Sequence, residues 1–225
     1  MTADLSTKMR AYLADIYRLI DRQLEPAEYV STSQLAEMLD VSPPAVNRTV
    51  NRLSKHGLLL HQPYHGIAIT ESGRVEALKH IRKQRIAEVF LAQIMQMSWL
   101  DVSEEARRLS DGLSEAVVQR MYDMTDNPAT CPHGEPIPGA EGTLPPAGDV
   151  YLSQVGAGAA VRVSRLITRD PERLQYVEAL GLTPAQVCDV IHVAPFEGPM
   201  QLKLGREFRI IGQSLARLIR VDILP

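Results

Sequence analysis

The segment S-T-S-Q-L-A-E-M-L-D-V-S-P-P-A-V-N-R-T-V-N-R-L-S-K-H-G-L-L-L-H-Q-P-Y-H-G-I-A-I-T, residues 31–70, leaves the backbone few options. Ser31, Thr32 and Ser33 supply hydroxyls for a helix N-cap, and Leu35, Ala36 and Leu39 give that helix one apolar stripe. Asp40-Val41 ends it. Ser42 can cap the next helix, and Pro43-Pro44 fill its first turn, where missing N–H groups cost nothing. Val46, Val50 and Leu53 repeat at helical spacing and are expected to face a core, and Gly57 suits the left-handed residue that closes a helix. Leu58 to His61 and Ile67 to Thr70 flank a short loop, Gln62 to Gly66, as the arms of a hairpin. Two short helices at a tight turn, followed by a hairpin, form the pattern of a winged helix-turn-helix, whose second helix enters the DNA major groove.

The core positions of that second helix leave Ala45, Asn47, Arg48, Asn51 and Arg52 pointing elsewhere. Amide side chains suit adenine edges, Arg suits guanine edges or phosphate, and hydroxyls suit phosphate. A lone hydrophilic helix is ordinarily a solvated face. The ordered series of cap, turn, polar helix, glycine stop and hairpin is what argues for DNA.

A net charge of −3 looks wrong for that purpose until it is divided along the chain. Residues 1–40 hold 4 basic and 7 acidic groups, net −3, and residues 41–85 hold 8 basic and 2 acidic, net +6. Residues 86–149 hold 3 basic and 11 acidic, net −8, and residues 150–225 hold 9 basic and 7 acidic, net +2. The basic block coincides with the polar helix and the region after the hairpin, as phosphate binding requires. The acidic block beside it could collect a divalent cation. Two cysteines, Cys131 and Cys188, are too few for a disulfide framework, and M-T-A-D-L-S-T-K lacks the features of a signal peptide, so a cytoplasmic protein with no membrane partner is expected. No run approaches the ~18 apolar residues that span a bilayer.

The rest of the chain divides into further regions. A first helix is expected from about Ser6 to Leu24, burying Met9, Tyr12, Leu13, Ile16, Tyr17 and Ile20. Thr70 is expected to cap a long helix reaching Met97, and Asp101-Val102-Ser103-Glu104 has the form of a capping box for another. Leu113, Val117, Val118 and Met121 carry the apolar pattern to about Met124. Such helices have more apolar surface than a small head can cover, so a homodimer matching palindromic double-stranded operator DNA is expected. The Pro- and Gly-rich stretch Asn127 to Val150 reads as an ordered loop, C-P-H-G-E-P-I-P-G, and then a linker. Beyond it, short strands at Ala160 to Val163, Val190 to Val193, Met200 to Leu204 and Leu218 to Ile223, with a helix near Glu172 to Leu180 and a turn or short helix at Gly212 to Ala216, suggest a small β-barrel. The fold class is therefore α+β. We assign 1–72 to a winged helix-turn-helix domain, 73–140 to a helical dimerisation and metal-binding domain, 141–150 to a linker and 151–225 to the barrel.

Several motifs in this order resemble the diphtheria toxin repressor family of metal-dependent transcriptional regulators. They are Tyr12-Leu13…Ile16-Tyr17, Val41-Ser42-Pro43-Pro44-Ala45-Val46, Gly66…Thr70, Arg85-Ile86-Ala87-Glu88 and Cys131-Pro132-His133-Gly134…Pro136-Ile137-Pro138. Leu180-Gly181-Leu182 and Gly198-Pro199 resemble the family's FeoA-like barrel. The resemblance implies a homodimer whose DNA affinity rises with Mn²⁺ or Fe²⁺, and a DNA-contact set of Thr32, Ser33, Ser42, Pro44, Ala45, Asn47, Arg48 and Asn51. The family's primary metal site takes an acidic or Met ligand from the first helix, where Ala11 stands here. Its E/C-x-x-E-H pattern is replaced by Arg107-Arg108-Leu109-Ser110-Asp111, in which only Asp111 could still bind a cation. The ancillary site is matched by Glu88, Cys131 and His133, with Asp170 as fourth candidate and Gln84 in place of a His that some members use. Carboxylate, imidazole and thiolate together suit Mn²⁺, Fe²⁺, Co²⁺ or Zn²⁺ better than Mg²⁺ or Ca²⁺. Asp101, Glu104, Glu105 and His80 are further donors for a rearranged site.

Three other readings compete with the metal-responsive regulator. One is a degenerate member that binds DNA without metal control, which the lost primary ligands favour. Another is an enzyme using Cys131 with His133, but these stand two apart in a turn without an orienting acid, and the chain has no Gly-rich phosphate loop, H-E-x-x-H or G-x-S-x-G. A scaffold built on the barrel leaves the charged helix unexplained. A non-enzymatic regulator is the expectation.

Overall fold

A computed structural model describes residues 5–23, 29–62, 64–146 and 148–225. The described chain forms two compact units, one of residues up to 84 plus 138–144, the other of 85–137 plus 145–225.

In the first unit, α1 (Thr7–Asp21) buries Met9, Leu13 and Ile16, with Tyr12, Tyr17 and Ile20 partly covered. It stops at Asp21, short of the expected end, and Leu24 lies outside the described residues. Ser31 caps α2 (Thr32–Met38) in a full capping box: its hydroxyl accepts from the Gln34 N–H, and the Gln34 side chain accepts from the Ser31 N–H. α3 (Pro43–Lys55) starts on its two prolines and buries Val46, Val50 and Leu53. Ser42 sits at its N-cap position, but its side chain makes no cap bond, so backbone and proline geometry begin this helix. Gly57, at φ +70°, follows as the left-handed residue. β1 (Leu59–Gln62) and β2 (Gly66–Ile69) pair antiparallel from Leu59↔Ile69 to Gln62↔Gly66. Leu13, Ile16, Leu35, Val46, Leu53 and Ile67 meet in one core beneath this head.

Thr70 accepts from the Gly73 N–H at the start of α4 (Glu71–Gln93), as expected of a cap. The helix ends four residues before Met97, and Gln96 has a positive φ. In the second unit, α5 (Val102–Ser110) and α6 (Glu115–Met124) follow as separate helices. The capping box at Asp101 does not form. Ser98 turns the chain instead, its carbonyl accepting from the Asp101 and Val102 N–H groups.

The C-terminal part is a six-stranded antiparallel sheet in the order β3-β8-β4-β5-β6-β7. Its strands are β3 (Val150–Tyr151), β4 (Ala160–Leu166), β5 (Val187–Val193), β6 (Met200–Leu204), β7 (Glu207–Ile211) and β8 (Ile219–Ile223). Among the described residues the ladder runs from β3 at one end to β7 at the other. α7 (Pro171–Ala179) and the short α8 (Gln213–Ala216) complete it, and Leu152, Leu166, Leu174, Val190, Leu202 and Val221 lie in its core. An extra residue in β4 against β8, between Val163 and Arg165, makes a bulge. From it, Ser164 and Arg165 both donate to the carboxylate of Asp149, which Arg220 also binds. Residue 149, expected in a linker, is thus tied into the sheet.

Candidate functional site

Glu88 faces inward from α4, and the loop 131–135 carries Cys131 and His133 to it. One donor atom from each of the three lies within 4.8 Å of the others. His133 Nδ1 is 3.5 Å from Glu88 Oε2 and 3.9 Å from Cys131 Sγ. All three side chains are buried, His133 completely. The loop is held in place by backbone bonds. Cys131 N donates to Glu135 O, Gly134 N donates to Cys131 O, and Leu166 N donates to His133 O. Gly134, at φ +82°, has the Ser164 carbonyl oxygen 2.1 Å from where a Cβ would stand. Only glycine lets the loop approach β4 this closely. Trp99 lies over His133 with ring centroids 5.5 Å apart, and its Nε1–H donates to Glu178.

The charges around the cluster shape its chemistry. Burial alone would raise the Glu88 carboxyl, but the neighbouring His133 imidazole, 3.5 Å away and too far for a normal hydrogen bond, and the Arg169 charge outweigh it and hold it down at about 2. Burial, then the negative charge of Glu88, pushes the Cys131 thiol well above its ordinary range. Ser103 Oγ donates to Glu88 Oε1 at 3.1 Å, and Arg169 Nε stands 3.8 Å from the same oxygen. Behind them Glu135 pairs with Arg85 at 3.0 Å and also with Arg169. Among the described residues, Glu88 Oε2 and His133 Nε2 have no hydrogen-bond partner although both are buried. Leaving such atoms unsatisfied costs about 1–3 kcal/mol each. A carboxylate, an imidazole and a thiol around two orphaned polar atoms fit a divalent transition ion in donor type and in spacing. A bound ion would add Lewis acidity and positive charge there.

Two expectations about ligands need correction. Asp170 is not brought to the cluster: its carboxylate accepts from the Arg173 N–H as the N-cap of α7. The neighbouring Arg169 faces Glu88 instead, and sequence reasoning missed it. The signal was available, because Asp-Pro opening a helix commits the carboxylate to backbone N–H groups and leaves residue 169 free to turn inward. Glu104 and Glu105 pair with Arg108 rather than joining the cluster, and His80 lies beside Gln84. At the family's primary-site positions, Arg107 and Asp111 are exposed.

In the head, Ser33, Ser42, Pro44, Arg48 and Asn51 are exposed, and Thr32, Ala45 and Asn47 are half-buried. Thr32 Oγ1 lies 3.5 Å from Asn47 Oδ1, linking α2 to α3. Arg52 and Lys55 add exposed positive charge to the last turn of α3, and Tyr64 projects fully from the hairpin loop.

A winged helix-turn-helix head, a helical region and a sheet domain, with a buried Glu/Cys/His cluster, make up the architecture of a metal-responsive transcription factor. Comparison with known proteins supplies the particular family. Residues 4–67 match the iron-dependent repressor N-terminal DNA-binding domain, 70–139 the iron-dependent repressor metal-binding and dimerisation domain, and 150–223 the FeoA domain. The chain is 35% identical to the iron-dependent repressor IdeR of Mycobacterium leprae, covering 97% of this chain and 98% of that protein. It is 27% identical to the diphtheria toxin repressor of Corynebacterium efficiens over 84% of this chain and 85% of that one. A manganese-dependent transcriptional repressor solved in complex with manganese superposes with a TM-score of 0.88 at 28% identity, over 96% of this chain and all of that one. The T. acidophilum IdeR structure gives 0.82 at 25% identity, over 95% and 97%. The chain belongs to the diphtheria toxin repressor family of divalent-metal-dependent transcriptional repressors, with its DNA-binding, dimerisation and FeoA-like parts.

Proposed function

We propose that this chain is a cytoplasmic, non-enzymatic homodimer that binds palindromic operator DNA when Mn²⁺ or Fe²⁺ occupies the Glu88, Cys131 and His133 cluster. The two orphaned buried atoms, Glu88 Oε2 and His133 Nε2, are the observation that carries this reading. Iron is the metal in the name of the mycobacterial relative and manganese in that of the solved repressor, and the donor set accepts both. Thr32, Ser33, Ser42, Pro44, Ala45, Asn47, Arg48 and Asn51 are the DNA contacts in this reading, with Asn47, Arg48 and Asn51 reading bases or phosphates from α3. Glu88 lies on α4 and the other donors in a loop bonded to β4, so an ion held by all three ties helix to sheet domain within the second unit. In a dimer, stiffening of that kind sets the spacing of two recognition helices, which must match one DNA turn of ~34 Å. No described helix is long and apolar enough to cross a membrane, in keeping with a cytoplasmic regulator. The domain limits 1–72, 73–140, 141–150 and 151–225 remain the proposed functional division, with Asp149 and Val150 at the end of the linker tied into the sheet.

The test is operator binding by native and His133→Ala proteins, each with and without Mn²⁺. Native protein is expected to tighten with Mn²⁺ and the variant not to respond. Equal, tight binding by both without metal would refute metal control. That result would favour the second reading, a family member binding DNA constitutively, which the Arg107-to-Asp111 replacement supports. Metal content below about half an equivalent per subunit after dialysis would point the same way.

A further inference from the structure

Arg169 occupies a side of the cluster where a further donor would be expected to stand. Its Nε is 3.8 Å from Glu88 Oε1, its Nη2 binds Glu135, and its Nη1 donates to the carbonyls of Leu166 and Thr168. The charges close without any ion. Glu88 and Glu135 bring two negative charges, and Arg85 and Arg169 bring two positive ones. A divalent cation added to that arrangement leaves an excess of positive charge, whether Cys131 binds as thiol or as thiolate. Buried unbalanced charge is costly, so something positive must leave. Arg85 is 5% exposed and locked onto Glu135 and the Pro136 carbonyl, whereas the Arg169 side chain is 23% exposed at the edge of the site. Arg169 is the cation that can go.

We propose that Arg169 is the resident counter-ion of this centre and the competitor of the metal. A divalent ion enters by displacing its guanidinium from Glu88 towards solvent, so residue 169 sets the affinity. The proposal rests on the reading of Glu88, Cys131 and His133 as the metal centre. It makes the centre's affinity a balance between the ion and the guanidinium at Glu88. It also means that the metal-free state is held together by an ion pair rather than left open.

The experiment is a titration of the full-length chain with Mn²⁺, read by equilibrium dialysis and by fluorescence of Trp99, the only tryptophan in the chain and 5.5 Å from His133. Arg169→Gln removes the charge but leaves Glu135 its Arg85 partner, and is expected to bind Mn²⁺ at least about tenfold more tightly than native protein. Arg169→Lys keeps the charge and is expected to stay within about threefold of native. His133→Ala is expected to abolish binding in both the native and the Arg169→Gln backgrounds. Equal affinity of native and Arg169→Gln proteins, with binding lost in His133→Ala, overturns the competitor role while leaving the metal centre intact. Absence of Mn²⁺ from native and Arg169→Gln proteins alike overturns both. If Arg169→Gln does not fold, native protein decides: Mn²⁺ is expected to speed phenylglyoxal modification of Arg169, read by mass spectrometry, and unchanged protection overturns the proposal.

Discussion

Gly134 shows how much of the centre depends on one residue without a side chain. A methyl group there would meet the Ser164 carbonyl at 2.1 Å, on a backbone already at φ +82°. Gly134→Ala is expected to cost about 3 kcal/mol in urea denaturation and to remove Mn²⁺ binding by pushing the loop off β4. Asp149 is the corresponding residue of the sheet domain. Burial would raise its carboxyl, but the hydrogen bond and charge of Arg165, with Ser164 and Arg220, lower it below the ordinary range. A carboxyl lower in the folded than in the unfolded chain stabilises fully above the unfolded value, ~3.9, and loses that contribution as pH falls through the folded one. Asp149→Asn is expected to destabilise by about 3 kcal/mol at pH 7, with the difference from native protein shrinking on acidification below pH ~4. Denaturation curves at several pH values check this. Cys131, His133 and Glu88 were legible from their motif and helical position. Asp149 was not, because its partners Arg165 and Arg220 come from β4 and β8, and no local spacing encodes that; Arg169 was signalled only indirectly, by the Asp170-Pro171 cap beside it.

At the scale of elements, the caps separate the two head helices. Ser31 completes a capping box, and Ser31→Ala is expected to cost about 1 kcal/mol, whereas Ser42→Ala, with no side-chain bond to lose, is expected to stay within about 0.5 kcal/mol. Thermal unfolding distinguishes them. Arg48 is exposed on α3, and Arg48→Ala is expected to weaken DNA binding. If it holds a phosphate, the log–log salt slope should fall by about 0.9; an unchanged slope with relaxed sequence preference would assign it to a base edge. The head could be read from sequence because its apolar period, prolines and glycine agree at every position. The Asp101 motif misled because the Ser98 carbonyl takes the Asp101 and Val102 N–H groups, so the turn before α5 forms without the carboxylate. β3 escaped because two residues carry no period. β7 escaped because Phe208 and Ile210 are exposed in a strand whose alternation is therefore not polar against apolar.

For the whole molecule, the distribution of apolar surface follows the division of labour. The head and the sheet domain each bury their own core, while α6 keeps Val117, Met121 and Met124 along one stripe, with Val117 and Met124 exposed. Family membership makes this chain a dimerising one, and the stripe is a natural place for the contact. Val117→Asp is expected to shift sedimentation towards the monomer at micromolar concentration while leaving circular dichroism unchanged. The burial of the Glu/Cys/His cluster carries a further consequence, and it concerns time. Displacing Arg169 frees the edge of the site, but with His133 wholly buried and packed against Trp99, an ion reaches all three donors only when that packing also loosens transiently. The response to a change in metal supply would then be paced by how often the protein opens, whatever the equilibrium affinity. A regulator of that kind averages over brief fluctuations, and Trp99→Ala should turn it into a faster and noisier one.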